Sequence, residues 1–345
     1  MGRCNWSDVR DATFPAGQAT PRTITNSADG ILKSYGTEVP AAGDAGYAPG
    51  CTFVHTDGSG DDVTYVNQGT KTSCNFTKLD TIPVAYGTAA GRGPSPAIWD
   101  NCPVLQFMLD PTEGWVYFND FVDNGVVCAA NQTVNRQGDL LCCTAATGGT
   151  VITTEADARE GEIKLASDTD NEDCILSALC GHHTSGHVTF EAGKKTWFEA
   201  RVKTLNITDA KYGWFVGFAE QGLVATTTLI AAAGTMADKD YIGFHGLEGD
   251  GDTLDTVYNT AAGGGSTLKG DAITVAADTY KKVGMYCDGT TIYFYADGVL
   301  LADSLALSTA NVPDGEEMAF YFGIMAAHTD PCSISIDWLR VAQEY

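Results

Sequence analysis

The sequence predicts an all-β chain, and three observations carry that prediction. Two Asp-Gly pairs, Asp288-Gly289 and Asp297-Gly298, are spaced so that 280–287, 290–296 and 299–305 read as three consecutive antiparallel strands. Asp-Gly suits such hairpins because the tight turn needs positive φ, which glycine reaches without steric cost. The 39 glycines and 14 tyrosines fit many short strands joined by tight turns. Helical windows are the third observation: a stretch such as 229–233 is too short and runs at once into Gly234.

Taken in order, residues 1–45 are rich in Ala, Gly, Thr, Pro and Ser with few aliphatics, which predicts an extended arm that must lie against something else. Residues 46–85 predict a small β module with strands at 51–56, 63–67 and 73–79, separated by an Asp/Gly-rich turn and a Gln68-Gly69 break. Three strands of that length are marginal alone. The Gly/Pro-rich segment 86–98 reads as a linker. From 99 to 345 aromatic density rises with Phe107, Trp115, Tyr117, Phe118 and Phe121. Strands are then expected at 161–165, 196–202, 213–218, 241–247, 253–258, the three hairpin strands, 318–325 and 333–341. That number suits two packed sheets. Within 290–296, Ile292 and Phe294 alternate with Tyr293 and Tyr295, and both sets are bulky enough to be covered, so this strand is expected inside a sheet.

Acidic residues outnumber basic ones 44 to 20, for a formal charge of −24. A phosphate backbone would be repelled over most of such a surface, so nucleic acid is not an expected partner. The excess carboxylates are read either as keeping a crowded β protein soluble and stopping strand edges from pairing, or as a specific acidic binding face. No basic-then-apolar leader and no membrane-length apolar run is present, so the expectation is cytoplasmic synthesis without membrane insertion. Eleven cysteines fit that compartment poorly and, being odd in number, leave at least one thiol unpaired in a monomer. Buried free thiols, disulfides formed after release from the cell, and a metal site all stay open, although Cys142-Cys143 and the Cys174/Cys180 spacing give no paired Cys-x-x-Cys knuckles.

Several segments carry a family resemblance. Trp197-Phe198-Glu199-Ala200-Arg201-Val202, Trp214-Phe215-Val216-Gly217-Phe218, Tyr293-Phe294-Tyr295-Ala296-Asp297-Gly298 and the closing Ile336-Asp337-Trp338-Leu339-Arg340-Val341 resemble the concanavalin/laminin-G jelly roll. Joined to the upstream stretch 46–58 and Tyr65-Val66-Asn67-Gln68-Gly69, that domain resembles structural proteins of tailed-bacteriophage virions, over most of residues 46–345. The resemblance implies a non-enzymatic component of the particle exterior, a capsid decoration or head-fibre protein made in the host cytoplasm. It also implies a homo-oligomer, with a trimer expected, and the major capsid protein or another virion protein as partner. The front part would attach and the jelly roll project outward. Attachment or oligomer contacts are expected from Trp6, Phe14, Tyr47, Phe53, His55, Tyr65, Asn67 and Phe76. A tail-associated receptor for host surface glycans is the alternative, and a glycoside hydrolase the remote one.

No cofactor is expected. A retaining glycosidase of this fold needs alternating acids along one strand, Glu-x-Asp-x-x-Glu or similar, and no such strand is found. The nearest acids are Asp250, Asp252 and Asp255, whose glycines suit a hairpin turn; their spacing also resembles oxygen-ligand loops, which makes them calcium candidates without the full twelve-residue loop. Cys180, His182, His183 and His187 give Cys-x-His-His-x-x-x-His on a predicted loop, which is read as an ordinary loop rather than a zinc site. Trp99, Trp115, Tyr212 and Tyr258 are candidates for stacking on sugar rings, with core packing as the competing explanation.

Overall fold

A computed structural model describes residues 24–26, 30–57, 64–78, 91–122, 135–137, 140–145, 151–154, 161–167, 173–178, 187–205, 207, 212–223, 229–231, 235–247, 250–261, 263–264, 266–326 and 333–345. The chain divides into two units, Met1–Ala85 and Tyr86–Tyr345. Unit 1 is a five-stranded sheet of β1 (Ile24–Asn26), β2 (Gly30–Gly36), β3 (Tyr47–His55), β4 (Thr64–Asn67) and β5 (Phe76–Lys78), paired in that order. β2 and β3 are parallel, which requires the long connection between them. Gly30 has φ +96°, and a Cβ there would lie 2.5 Å from the carbonyl oxygen of Gly46, so only glycine fits.

Residues 30–36, expected in an extended arm, form β2 of this sheet, while residues 1–23 lie outside the described residues. β2 belongs to the sheet, and Ile31 is buried with Tyr47, Cys51 and Cys74 under the partly buried Phe76. Asn67, expected at a surface contact, is buried and ties the sheet together. Its Nδ2 donates to the carbonyls of Tyr47 and Ala48 at 3.1 and 3.0 Å, and its Oδ1 accepts from Gly69 and Asn75 at 2.8 Å each. Tyr47 and Phe53 are buried as well, each in edge contact with Phe76.

Unit 2 opens with α1 (Pro96–Trp99) and α2 (Val104–Leu109), followed by β6 (Gly114–Asn119), β7 (Asn135–Gln137), β8 (Leu140–Ala145), β9 (Val151–Thr154), β10 (Ile163–Ala166), β11 (Asp173–Ala178), β12 (Thr196–Thr204) and β13 (Tyr212–Glu220). It continues through β14 (Ile230–Ala231), β15 (Thr235–Met236), β16 (Tyr241–Gly246), β17 (Thr253–Asn259), β18 (Ser266–Thr274), β19 (Lys281–Cys287), β20 (Thr291–Ala296), β21 (Val299–Ala306), β22 (Met318–Ala326) and β23 (Ser333–Glu344). Two eight-stranded sheets result. Sheet I runs β21-β20-β19-β12-β23-β10-β9, with β6 also on β23, and sheet II runs β18-β17-β16-β13-β22-β11-β8-β7. The chain is thus all-β, and unit 2 is a jelly-roll sandwich. β20 lies inside its sheet as expected, and Asp297 and Gly298 take φ +48° and +73° in the turn that follows it.

Alternation along the strands builds the core. Phe198, Ala200 and Val202 of β12 meet Trp214, Val216 and Phe218 of β13 and Phe320, Phe322 and Ile324 of β22 in one cluster. The opposite faces are apolar too, which is why these strands read as nearly unbroken hydrophobic runs. Behind sheet I, Trp197 and Tyr295 pack with Ile98, Trp99 and Phe107 from the two short helices. Behind sheet II, Phe215, Tyr241, Val257 and Tyr321 are covered by Leu223, Leu229 and Ile230. Each fully buried aromatic or aliphatic side chain contributes roughly 1.5–3 kcal/mol against exposure.

Residues 91–98, expected in a linker, belong to this sandwich. Pro96 starts α1 where its missing N–H costs nothing. Ser95 N–H and Trp99 Nε1 both donate to the buried Glu199 carboxylate, at 2.8 and 2.9 Å. Burial pushes the Glu199 carboxyl up, against those donors and the charge of Lys282. α1 packs closely on β19, where a Cβ on Gly284 would lie 2.4 Å from Ile98 Cδ1. Among the described residues, Cys51, Cys74, Cys102 and Cys287 are free, buried thiols. Burial pushes Cys102 to about 12 and Cys287 to about 11.

Candidate functional site

Two polar constellations stand out on unit 2, one on the outer face of sheet I and one at an end of sheet II. The first begins with a β-bulge. Where β12 pairs with β23, Arg201 faces Trp338 while Val202 faces Ile336, so Asp337 is the extra residue. A bulge re-aims a side chain, and the Asp337 carboxylate, only 3% exposed, meets two guanidinium groups. Arg92 donates to it through Nη2 and through Nε, the latter at 2.8 Å, and Arg201 through Nη1. Ion pairing with Asp337 raises the Arg92 pKa further. The Arg201 guanidinium also lies over the Tyr280 ring, 3.7 Å from its centroid. Tyr280 in turn donates its hydroxyl to Glu162, which pairs with Lys203 at 3.1 Å. Burial, and then the Glu162 carboxylate, push the Tyr280 phenol well up.

Beside this network lies a groove of about 420 Å³ lined by Arg92, Gly93, Pro94, Phe118, Asp120, Val122 and Trp338. Its floor is Trp338, whose Nε1 donates to the Arg92 carbonyl at 2.7 Å. Its wall is Phe118 of β6, 52% exposed, with ring centroids 6.5 Å apart. An exposed ring beside paired charged groups presents an apolar face and a hydrogen-bonding edge together.

The second constellation comes from the β16–β17 hairpin. Its register places His245 opposite Asp255, on the face that carries Tyr241 and Val257. Asp250 folds back from the turn, where its Oδ2 accepts the Leu247 N–H at 2.6 Å and Gly251 takes φ +59°. One ligand atom each of His245, Asp250 and Asp255 lies within 4.8 Å of the others. His245 Nδ1 is 3.7 Å from Asp250 Oδ2. Asp255 Oδ1 accepts the Asp271 N–H at 2.8 Å. Burial pushes the Asp255 carboxyl above its ordinary range, helped by the charges of Asp250 and Asp271 and opposed by the Asp271 N–H and His245.

The three aspartates expected together thus separate: Asp250 and Asp255 converge with His245, while Asp252 is exposed and outside the group. The expected turn chemistry is present, since Thr253 donates its N–H and hydroxyl to the Asp250 carbonyl at 3.0 and 2.6 Å. The expected sugar-stacking residues do not form one platform. Trp99 is buried against Glu199 behind sheet I, whereas Trp115 and Tyr258 are partly buried against the central core. Tyr212 opens β13, but its side chain lies outside the described residues, as do Trp6, Phe14, Cys180, His182 and His183. His187 is exposed. In unit 1, His55 is half-buried, its Nε2 2.8 Å from the Thr37 carbonyl and 3.1 Å from Asp57, and its ring meets Tyr65 edge-on.

Arg92, Phe118, Asp337 and His245 carry no motif. For His245 a signal existed, because the predicted hairpin centred on Asp250 pairs residues whose numbers sum to a constant, and that register brings 245 to 255. For Asp337 there was none, since a bulge is invisible in the alternation of β23.

No protein-family model and no curated protein matches the sequence. Solved structures do. A glycoside hydrolase family 16 endo-glucanase from Bacteroides ovatus is 12% identical, covering 65% of this chain and 99% of its own, with a TM-score of 0.40. A glycosyl hydrolase family 16 protein from Mycobacterium smegmatis is 13% identical over 65% of this chain and 98% of its own, at 0.37. The binding domain of botulinum neurotoxin DC, solved in complex with SialylT, is 8% identical over 58% of this chain and 42% of its own, at 0.35. At such values the likeness is one of fold alone. These matches run against the expectation of a chain that is not an enzyme, since several of them are glycoside hydrolases.

Proposed function

We propose that unit 2 recognises carbohydrate through the groove beside β6 and β23. The supporting observation is an exposed Phe118 ring beside Arg92 and Asp120 along one groove of about 420 Å³, with Arg92 held from behind by the buried Asp337. A pyranose offers an apolar face and an edge of hydroxyl groups. The ring takes the first, and the Asp120 carboxylate accepts from the second, beside an Arg92 fixed by its pairing with Asp337. Because Arg92 and Asp337 already hold each other, little order is lost on binding.

Binding of the full-length chain to arrays of neutral and acidic glycans tests this. Phe118→Ala should weaken the best ligand by about 1 kcal/mol, several-fold in affinity, with the fold intact because the ring is half in solvent. A chain that binds no glycan, or binds equally well without the ring, overturns the reading.

The setting implied by the sequence resemblance, display on a virion exterior through the front of the chain, belongs to the same proposal. Its support is that resemblance and the separate sheet of unit 1. Deleting residues 1–85 should leave glycan binding in place and abolish attachment to the particle. A second reading, hydrolysis, is favoured by one spacing. The oxygens of Asp250 and Asp255 lie within 4.8 Å, close to the roughly 5–5.5 Å between carboxyl groups in retaining glycosidases. Release of reducing sugar from a polysaccharide panel decides it.

A further inference from the structure

We propose that His245, Asp250 and Asp255 form a binding site for a divalent transition-metal ion of the zinc class. The inference goes beyond carbohydrate recognition and does not rest on it. Two independent observations meet here. The first is convergence: one nitrogen and two carboxylate oxygens lie within 4.8 Å of one another. The second is an orphan. His245 is 6% exposed, and its Nδ1 has no hydrogen-bond partner among the described residues while facing Asp250. Buried polar atoms are normally satisfied, and a cation held between this imidazole nitrogen and the two carboxylates would satisfy it.

The surroundings orient the ligands as metal sites require. His245 and Asp255 are fixed by direct cross-strand pairing, and Asp250 is held by the Leu247 N–H. The Asp271 N–H holds Asp255 through Oδ1 as the Leu247 N–H holds Asp250 through Oδ2, and each carboxylate keeps lone pairs for an ion. Tetrahedral zinc with bonds of about 2.0–2.1 Å spans ligand edges of about 3.4 Å. The 3.7 Å between His245 Nδ1 and Asp250 Oδ2 is already close to that. Imidazole selects against calcium and magnesium, which take oxygen ligands, and three protein ligands leave a fourth position for water. An ion held by both carboxylates leaves neither free as a nucleophile, so the inference also stands against hydrolytic use of this pair.

Isothermal titration of the chelator-treated full-length chain with Zn²⁺ is the test, with His245→Gln and Asp255→Asn measured beside it. Asp255→Asn keeps the acceptor for the Asp271 N–H and is the variant most certain to fold, as circular dichroism would verify. The expected result is a site that each variant weakens by about tenfold or more, and that Ca²⁺ or Mg²⁺ at equal concentration does not fill. With Co²⁺ the site should show the intense visible bands of a four-coordinate ion without a thiolate charge-transfer band, which separates it from the cysteines. Absence of Zn²⁺ binding by the folded chain, equal affinity in both variants, or displacement by Ca²⁺ overturns the proposal.

Discussion

The two polar constellations of unit 2 solve the same problem in opposite ways. On sheet I the buried Asp337 carboxylate is met by Arg92 and Arg201, and the neighbouring Glu162 by Tyr280 and Lys203. On sheet II, Asp250 and Asp255 face each other and a histidine, with backbone N–H groups on single oxygens. The first region is neutralised from within and is therefore a structural clamp that shapes a groove. The second has no guanidinium or ammonium partner among the described residues, and the proposed cation would supply the missing charge. A carboxylate cluster is thus informative about ligands in proportion to what the protein itself fails to supply.

Substitutions that invert the two regions test that contrast. Asp337→Ala should have the largest effect, a loss of about 3–5 kcal/mol in urea unfolding, because Arg201 is left largely buried without its carboxylate. Tyr280→Phe removes a hydroxyl donor from the Glu162 carboxylate and should cost about 1.5–3 kcal/mol. Asp255→Asn should do the reverse in metal-free protein, changing stability by less than about 1 kcal/mol and in the stabilising direction, since it relieves repulsion and keeps the Asp271 bond.

The pH dependence carries the same sign. The folded chain holds the Asp255 proton to higher pH than the unfolded chain. Its contribution is therefore fully present below the ordinary value of 3.8 and is lost as pH rises through the raised pKa. In Asp255→Asn that decline disappears from a plot of Tm against pH. A decline of the same size in the variant would show that the sheet II carboxylates are not the uncompensated ones.

Much of the fold was legible because its signals are local. The Asp-Gly turns fixed β19 to β21, and the aromatic runs at 197, 214, 320 and 338 marked strands covered on both faces. The missed elements lacked such signals. α1 and α2 are too short to show a helical period, and β18 is interrupted by Gly270 and by register shifts against β17. Composition misled in the front segment, where Ile31 is the buried large apolar residue of β2, Leu32 is exposed, and backbone pairing to β3 does the rest. Of the candidate sites, the acidic turn carried a composition signal, whereas its histidine was legible only through the hairpin register that pairs 245 with 255. The groove on sheet I depends on a bulge and on residue 92 meeting residue 337, a separation that no motif spans.

The four buried thiols among the described residues make each unit its own clock. Cys51 and Cys74 sit in the small interior of unit 1, and Cys102 and Cys287 in the sandwich, with protons that burial makes hard to remove. A thiol reagent can label them only in molecules that have opened. Peptide mapping after timed alkylation would then read two separate opening rates from one unmodified sample, without a fluorophore, a tag or a truncation.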